Sequence, residues 1–281
     1  MRRKTRLSGA SRACNSFSVS ASLNDMPENT LSIAPVYFIS DVHLGVSDAD
    51  TERRKLDALL KLLAEIHRSG GTLYIVGDLF DFWYEYRAVV PRGYHRLYSA
   101  LEDLPKAGVE VTYLAGNHDF AIGSFFSDEL GVRVLRDDLC FEADGKSFYV
   151  YHGDGLAAND GGYRALKRVL RSPLAQWGFR LLHPDFGFAL ARRFSHSSRD
   201  YTSGKDYGEK DGMRLEAIRR FKNGTDIVIM GHRHLPRREE LDGGIYVNLG
   251  DWIHHFTYAV YRDGDIALYT MINGYEEQFS G

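Results

Sequence analysis

Several familiar class markers are missing from this chain. It has 2 cysteines in 281 residues, Cys14 and Cys140, too few for a disulfide framework and suited to a reducing compartment. It has 7 prolines, with 44% hydrophobic and 26% charged residues, an ordinary globular composition. No stretch approaches the roughly 18 consecutive apolar residues of a membrane-spanning helix. Nor is there a basic excess. The formal net charge is −3, which argues against a nucleic-acid binder, local basic patches aside. No internal repeat is visible, and the length allows one large domain or two small ones.

Residues 1–33 differ from the rest. Arg2, Arg3, Lys4, Arg6 and Arg12 are basic, serines are frequent, and no acid precedes Asp25. This composition is compatible with an organelle transit peptide but lacks the apolar core of a secretory signal. The favoured reading is a disordered extension outside the fold, or an upstream start with Met26 as the functional one.

From Val36 onward hydrophobic runs recur, and each ends in a polar donor. They are Val36-Tyr-Phe-Ile-Ser-Asp41-Val-His43, Leu73-Tyr-Ile-Val-Gly-Asp78, Val111-Thr-Tyr-Leu-Ala-Gly-Asn117-His118-Asp119, Phe148-Tyr-Val-Tyr-His152 and Ile227-Val-Ile-Met-Gly-His232-Arg-His234. Short unbroken β-favouring runs read as strands buried on both faces. In open α/β sheets the site lies beyond the carboxyl ends of the strands, so these donors are expected to converge. Helical spacing of Leu56, Leu59, Leu60, Leu63 and Ile66 predicts a helix over 51–69, closed by Gly70-Gly71, and a second helix is expected over 94–104. The aromatic stretch Phe80 to Tyr86 either packs or lines the site; Trp83 is its candidate substrate contact.

After His152 the alternation stops. Residues from about 156 to 222 lack a strand pattern, which suggests an inserted helical subdomain. Three runs near the C-terminus, beginning at Ile245, Phe256 and Ile266, look like antiparallel strands joined by turns such as Asp263-Gly264. The expected fold is α/β (α+β): two β-sheets face to face, flanked by helices, over residues 34–275, with a helical lid over about 156–222.

Each donor alone has a plain structural reading: Asp41 as a helix cap, His43 as a core histidine, Asp78 in a turn. Together Asp41, His43, Asp78, Asn117, His152, His232 and His234 exceed what one closed zinc site needs. Carboxylate, amide and imidazole donors suit Mn²⁺, Fe or Zn²⁺, preferentially as a pair about 3.5–4 Å apart. Asp78 is then placed to bridge both ions.

Asp41-x-His43, Gly77-Asp78, Gly116-Asn117-His118-Asp119, His152-Gly-Asp154 and Gly231-His232-x-His234 resemble, in order, the signature of the calcineurin-like metallophosphoesterases. The resemblance runs from Val36 to Asp251. Within that family the chain is similar to the branch that hydrolyses UDP-2,3-diacylglucosamine, a lipid-linked sugar nucleotide, through Gly77-Asp-Leu-Phe-Asp-Phe-Trp83, Asp160-Gly-Gly-Tyr163, His183-Pro-Asp-Phe-Gly187 and Ser197-Ser-Arg199. It implies one ion on Asp41, His43, Asp78 and His234 and a second on Asp78, Asn117, His152 and His232, most naturally Mn²⁺. It also implies cleavage of a pyrophosphate, with His118 stabilising or protonating the leaving oxygen and Asp119 orienting His118. His118 departs from the proteobacterial form, which carries Arg there. A helix-capping role for Asp119 stays open. Two cations would neutralise the phosphoryl oxygens and make water nucleophilic near neutral pH.

The same resemblance makes Asp160 and Tyr163, and more weakly Ser198 and Arg199, candidates for contacts to the sugar nucleotide. Between Arg164 and Arg199 the lid carries eight Arg or Lys residues against one acid, Asp185, interleaved with apolar residues. That pattern reads as a helical hairpin with a solvated basic face, or as an amphipathic lid on anionic membrane. The resemblance favours the second, with peripheral contact to the inner membrane from the cytoplasm.

Overall fold

A computed structural model describes residues 16–17, 34–87, 89–156, 172–187, 211–272 and 275–279. The strands in chain order begin with β1 (Ser16–Phe17), β2 (Val36–Ile39), β3 (Thr72–Val76), β4 (Trp83–Tyr84) and β5 (Glu110–Leu114). Next come β6 (Asp119–Ala121), β7 (Arg133–Leu135), β8 (Leu139–Ala143), β9 (Lys146–Tyr151) and β10 (Ile227–Met230). The last are β11 (Arg237–Leu241), β12 (Gly244–Asn248), β13 (Thr257–Arg262), β14 (Asp265–Ile272) and β15 (Tyr275–Gln278). Helices are α1 (Ala49–Ser69), α2 (His95–Lys106), α3 (Pro173–Arg180) and α4 (Gly212–Phe221), with a π-helical turn at Phe125–Glu129.

The sequence of β2 explains the layering. All its residues are buried; Val36 and Phe38 enter one core, and Tyr37 and Ile39 enter another. A strand apolar on both sides needs cover on both. One cover is a second sheet, against which Phe38, Val76 and Leu114 meet Phe148, Val150, Ile229 and Val247. The other is helical: Leu59, Leu63 and Ile66 of α1 and Leu97, Leu101 and Leu104 of α2 pack on Tyr37, Ile39, Leu73 and Ile75. On the far side α4 lays Met213, Ala217 and Phe221 on Tyr149, Val228, Met230 and Tyr246. The expected two-sheet sandwich with outer helices is therefore what these residues build.

The first sheet runs β15-β14-β13-β2-β3-β5-β7 and the second β1-β8-β9-β10-β12-β11; β4 and β6 pair separately. Three adjacent strands of the first sheet, β2, β3 and β5, are parallel. In the second sheet β10 is parallel to both β9 and β12. The carboxyl ends of these strands carry the donors.

Several expectations need correction. The run at Ile245 does not join the other two C-terminal runs: β13 and β14 form an antiparallel pair in the first sheet, whereas β12 is parallel to β10 in the second and takes β11 as its hairpin partner. Nearness in sequence misled, because the charged β11 gave no strand signal. The helical segment expected over 156–222 ends in α4, which belongs to the outer layer of the sandwich. Ser16–Phe17 pairs with Cys140–Phe141 at the edge of the second sheet, so this part of the extension is not outside the fold. Cys140 is disulfide-bonded, which removes the cysteine argument for a reducing compartment; Cys14 lies outside the described residues. α1 starts at Ala49, two residues earlier than its apolar spacing suggests, because Asp48 accepts from the amides of Asp50 and Thr51.

Candidate metal centre

Asp41 and His43 follow β2, Asp78 follows β3, Asn117 and His118 follow β5, His152 follows β9, and His232 and His234 follow β10. Turning out of a strand within one or two residues strains the backbone. Asp41, His43, Asp78, His232 and His234 have φ of 52°, 47°, 55°, 67° and 57°, a region that non-glycine residues adopt at a cost and that concentrates at functional sites. Two glycines are fixed by crowding: a Cβ on Gly231 would lie 2.4 Å from Asp41 Oδ2, and one on Gly116 would lie 2.1 Å from Asp78 Oδ1.

Among the described residues the donors converge as three overlapping groups compact enough to hold an ion: Asp41 with His43 and His234, Asp41 with Asp78 and His152, and His43 with Asp81 and His118. His234 Nε2 lies 3.2 Å and His43 Nε2 3.5 Å from Asp41 Oδ1. Asp78 Oδ2 is 3.2 Å from His152 Nε2 and 3.8 Å from His43 Nε2, so its carboxylate reaches donors of the first two groups. Asn117 Oδ1 is 3.0 Å from His152 Nε2, and the His232 ring stands against the His152 ring at 5.2 Å. The second oxygen of each carboxylate is tied down: Asp41 Oδ2 accepts from Ser40 Oγ and the His232 amide, and Asp78 Oδ1 accepts from the His118 amide.

Asp41 Oδ1 is buried without a hydrogen-bond partner. A buried carboxylate oxygen is costly in that state, and this one faces two imidazole nitrogens. Oxygen and nitrogen donors of this kind suit a divalent cation, and the residues fit one.

Charge is finely divided here. Burial opposes ionisation of Asp41 and Asp78, yet His152 and the neighbouring rings hold both well below the usual carboxylate range. At His152 burial is overridden by Asp78 and Asp41, which push it up to about 10. Burial dominates at His118 and at His232, lowering each to about 3.

The neighbour of His118 is not the expected one. His118 Nδ1 lies 2.6 Å from the Asp81 carbonyl, and the Asp81 carboxylate is 3.6 Å from His43 Nδ1. Asp119 instead serves the backbone: its Oδ2 accepts from the amides of Gly116 and Asp78, and its Oδ1 from Tyr113 Oη at 2.7 Å. Both carboxylate oxygens of Asp119 are thus engaged by the loop and by Tyr113. Burial, then the Asp78 charge, raises Asp119 to about 6. A helix-capping role does not arise either.

Trp83 is also reassigned. It is fully buried against Phe80, Phe125 and Phe126, which is the packing alternative for this stretch. Its neighbours Phe82, Tyr84 and Tyr86 receive Phe179 of α3 instead, and Tyr84 Oη donates to the Gln176 carbonyl at 2.6 Å. Asp160, Tyr163, Ser198 and Arg199 lie outside the described residues. Asp81 and Asp251 were missed. Asp251 Oδ2 is 3.5 Å from His234 Nδ1 while its Oδ1 accepts from the amides of His254 and His255; an acid three residues past the end of β12 was the available signal for it.

The profile of the calcineurin-like phosphoesterases matches residues 34–236. A UDP-2,3-diacylglucosamine hydrolase of Porphyromonas gingivalis is 33% identical over 257 residues, covering 84% of this chain and 97% of that protein. One from Pseudomonas paraeruginosa is 35% identical over 224 residues, covering 77% and 90%. Among solved structures, vacuolar protein sorting 29 of Cryptosporidium parvum overlaps 89% of this chain and 99% of its own at 14% identity, with a TM-score of 0.44. With its strand-end donors gathered across two sheets, the chain belongs to the calcineurin-like phosphoesterase family.

Proposed function

We propose that the protein hydrolyses the pyrophosphate of UDP-2,3-diacylglucosamine, giving UMP and 2,3-diacylglucosamine 1-phosphate, with two divalent ions, Mn²⁺ before Fe or Zn²⁺. The observation that carries this is 33% identity to a UDP-2,3-diacylglucosamine hydrolase in a match that covers 84% of the chain, joined to a donor cluster of the matching chemistry. Asp41, His43, Asp78 and His234 would hold one ion, and Asp78, Asn117, His152 and His232 the other. Bound there, two cations would supply charge neutralisation at the phosphoryl oxygens and a water acidic enough to be nucleophilic near neutral pH.

The chain's own residues do the rest. The His118 Nδ1–H donates to the Asp81 carbonyl, so Nε2 would have to take up a proton, against the burial that lowers this ring to about 3, before it could give one to the leaving oxygen. The Asp81 carboxylate also lies 3.6 Å from His43 Nδ1, on the opposite edge of the ring from the Nε2 that faces Asp41 and Asp78. Asp119, through Gly116 and Asp78, keeps the loops carrying Asn117 and Asp78 in register.

α3 supports the lipid part of the reading. Leu174, Trp177 and Leu181, spaced three and four apart, are 76%, 61% and 68% exposed, and Phe186 is 61% exposed. Phe179, from the same helix, packs back onto Tyr84 at 4.4 Å. One face docks on the domain while another offers apolar surface, which marks a contact site. This face would take acyl chains and rest on anionic membrane, from the cytoplasmic side of the inner membrane. No helix among the described residues is long and apolar enough to cross a membrane, and with a net charge of −3 no nucleic acid is proposed as partner. Turnover of UDP-2,3-diacylglucosamine beside a generic aryl phosphodiester tests the reading. A clear preference for the aryl diester would replace it with a soluble phosphodiesterase.

A further inference from the structure

Among the described residues Lys55 is the one lysine in the group of largest fully buried side chains, on the inner face of α1. Lysine is almost never buried completely unless it is paired. Its ammonium donates to the carbonyl of His43 at 2.7 Å and of Val42 at 3.2 Å, and lies 2.8 Å from Glu52 Oε1, one turn earlier. Glu52 grips the same loop further on: Oε2 accepts from the Gly45 amide at 2.8 Å and Oε1 from the Ser47 amide at 2.9 Å. Two side chains three residues apart thus hold two carbonyls and two amides of the segment between Val42 and Ser47.

That segment needs holding. Asp41 and His43 both sit at positive φ, a conformation that persists only where the surroundings enforce it. From the front, the amides of Asp41, His43 and Leu44 donate to the carbonyls of Gly77, Asp78 and Leu79. From behind, Lys55 and Glu52 of α1 hold it by hydrogen bonds. The pairing also settles a charge problem. A lone ammonium directly behind His43 would repel a divalent ion; with Glu52 against it the unit adds shape and no net charge.

We infer that Lys55 and Glu52 form a positioning pair that sets the Asp41–His43 loop, and thereby the affinity of the ion held by Asp41, His43 and His234. This rests on the metal reading of the cluster. Neither residue touches substrate or ion; both act through His43 and the backbone.

The test strips metal from the full chain, titrates it with Co²⁺, and follows the visible absorption of the bound ion, for wild type, Lys55→Met and Glu52→Gln. Wild type should take up two ions. Lys55→Met should bind one as wild type does and the other about 10–100-fold more weakly, the usual loss when a group supporting a ligand is removed. Its kcat should recover as Mn²⁺ is raised. Glu52→Gln should show the same change in smaller measure, and carries the test if Lys55→Met does not fold. If the variants bind both ions with wild-type affinity while the stripped protein melts earlier, the pair merely supports the fold and the inference is overturned. Uptake of fewer than two ions by wild type would overturn the metal reading itself.

Discussion

The Nε2 atoms of His43 and His234 face each other across 3.2 Å, deep in the protein and beside Asp41 Oδ1. Two ring nitrogens at that distance hold together by sharing a proton or by giving their lone pairs to a cation. Five strands deliver buried imidazoles and carboxylates to the same region, so the ion-free arrangement is poorly satisfied.

Chelation should therefore destabilise the protein. Adding Mn²⁺ at about 100 times its Kd should restore about 2.7 kcal/mol per site if only the folded state binds. Thermal melts in EDTA and in graded Mn²⁺ measure this. A melting temperature unmoved by either would show that the cluster is satisfied without metal.

Asp78→Ala should abolish turnover and bring bound metal well below two ions, because one carboxylate reaches His152 at 3.2 Å and His43 at 3.8 Å. Metal analysis of the purified variant decides it. Two tightly held ions would take Asp78 out of the bridging position and leave that part to Asp41, which belongs to the groups of both His234 and His152.

His118→Ala and Asp119→Ala should fail differently. The first should keep its metal and lose about 10²–10⁴ in kcat, the range for a positioned acid–base group. The second strands the amides of Gly116 and Asp78 and the hydroxyl of Tyr113. At about 1–3 kcal/mol for each buried group left unsatisfied, Asp119→Ala should lose stability first and activity as a consequence. Similar melting curves with similar kcat losses in both variants would mean that Asp119 serves the chemistry after all.

What could be read from the sequence follows from what burial does to it. β2, β3, β5, β9 and β10 are covered on both faces and so appear as unbroken apolar runs, which made their polar ends conspicuous. β11 lies at a sheet edge with Arg238, Glu239 and Glu240 along it, and no apolar run marked it. Adjacency also says nothing of direction. Asp119 neighbours His118 in the chain, yet Asp81, 37 positions before His118, meets its ring. Lys55 was invisible for a related reason: a lysine between Arg54 and Leu56 reads as solvent-facing until its carbonyl partners are located. Trp83 looked like a site residue because it follows Asp78 so closely, but the strand pair β4–β6 carries it into the outer core.

The face of α3 decides the substrate class. A diacylated sugar nucleotide brings two acyl chains that need apolar cover and a diphosphate that must reach the ions. Leu174, Trp177 and Leu181 lie on one side of the helix and are largely exposed, whereas Phe179 is spent on docking against Phe82 and Tyr84. Replacing Leu174, Trp177 and Leu181 by Ser should leave the melting temperature nearly unchanged, since these side chains are already in water. It should weaken vesicle binding and raise KM for the lipid substrate: full burial of one such side chain is worth about 1.5–3 kcal/mol, so losing even one contact costs about tenfold. A soluble aryl phosphodiester should still turn over, because the donors are untouched. Phe179→Ala provides the contrast. It removes the anchor, so it should lower stability and affect α3 as a whole. Equal losses on both substrates for the triple serine variant would mean that the face supports the fold, and the soluble-phosphodiesterase reading would then stand in place of the lipid one.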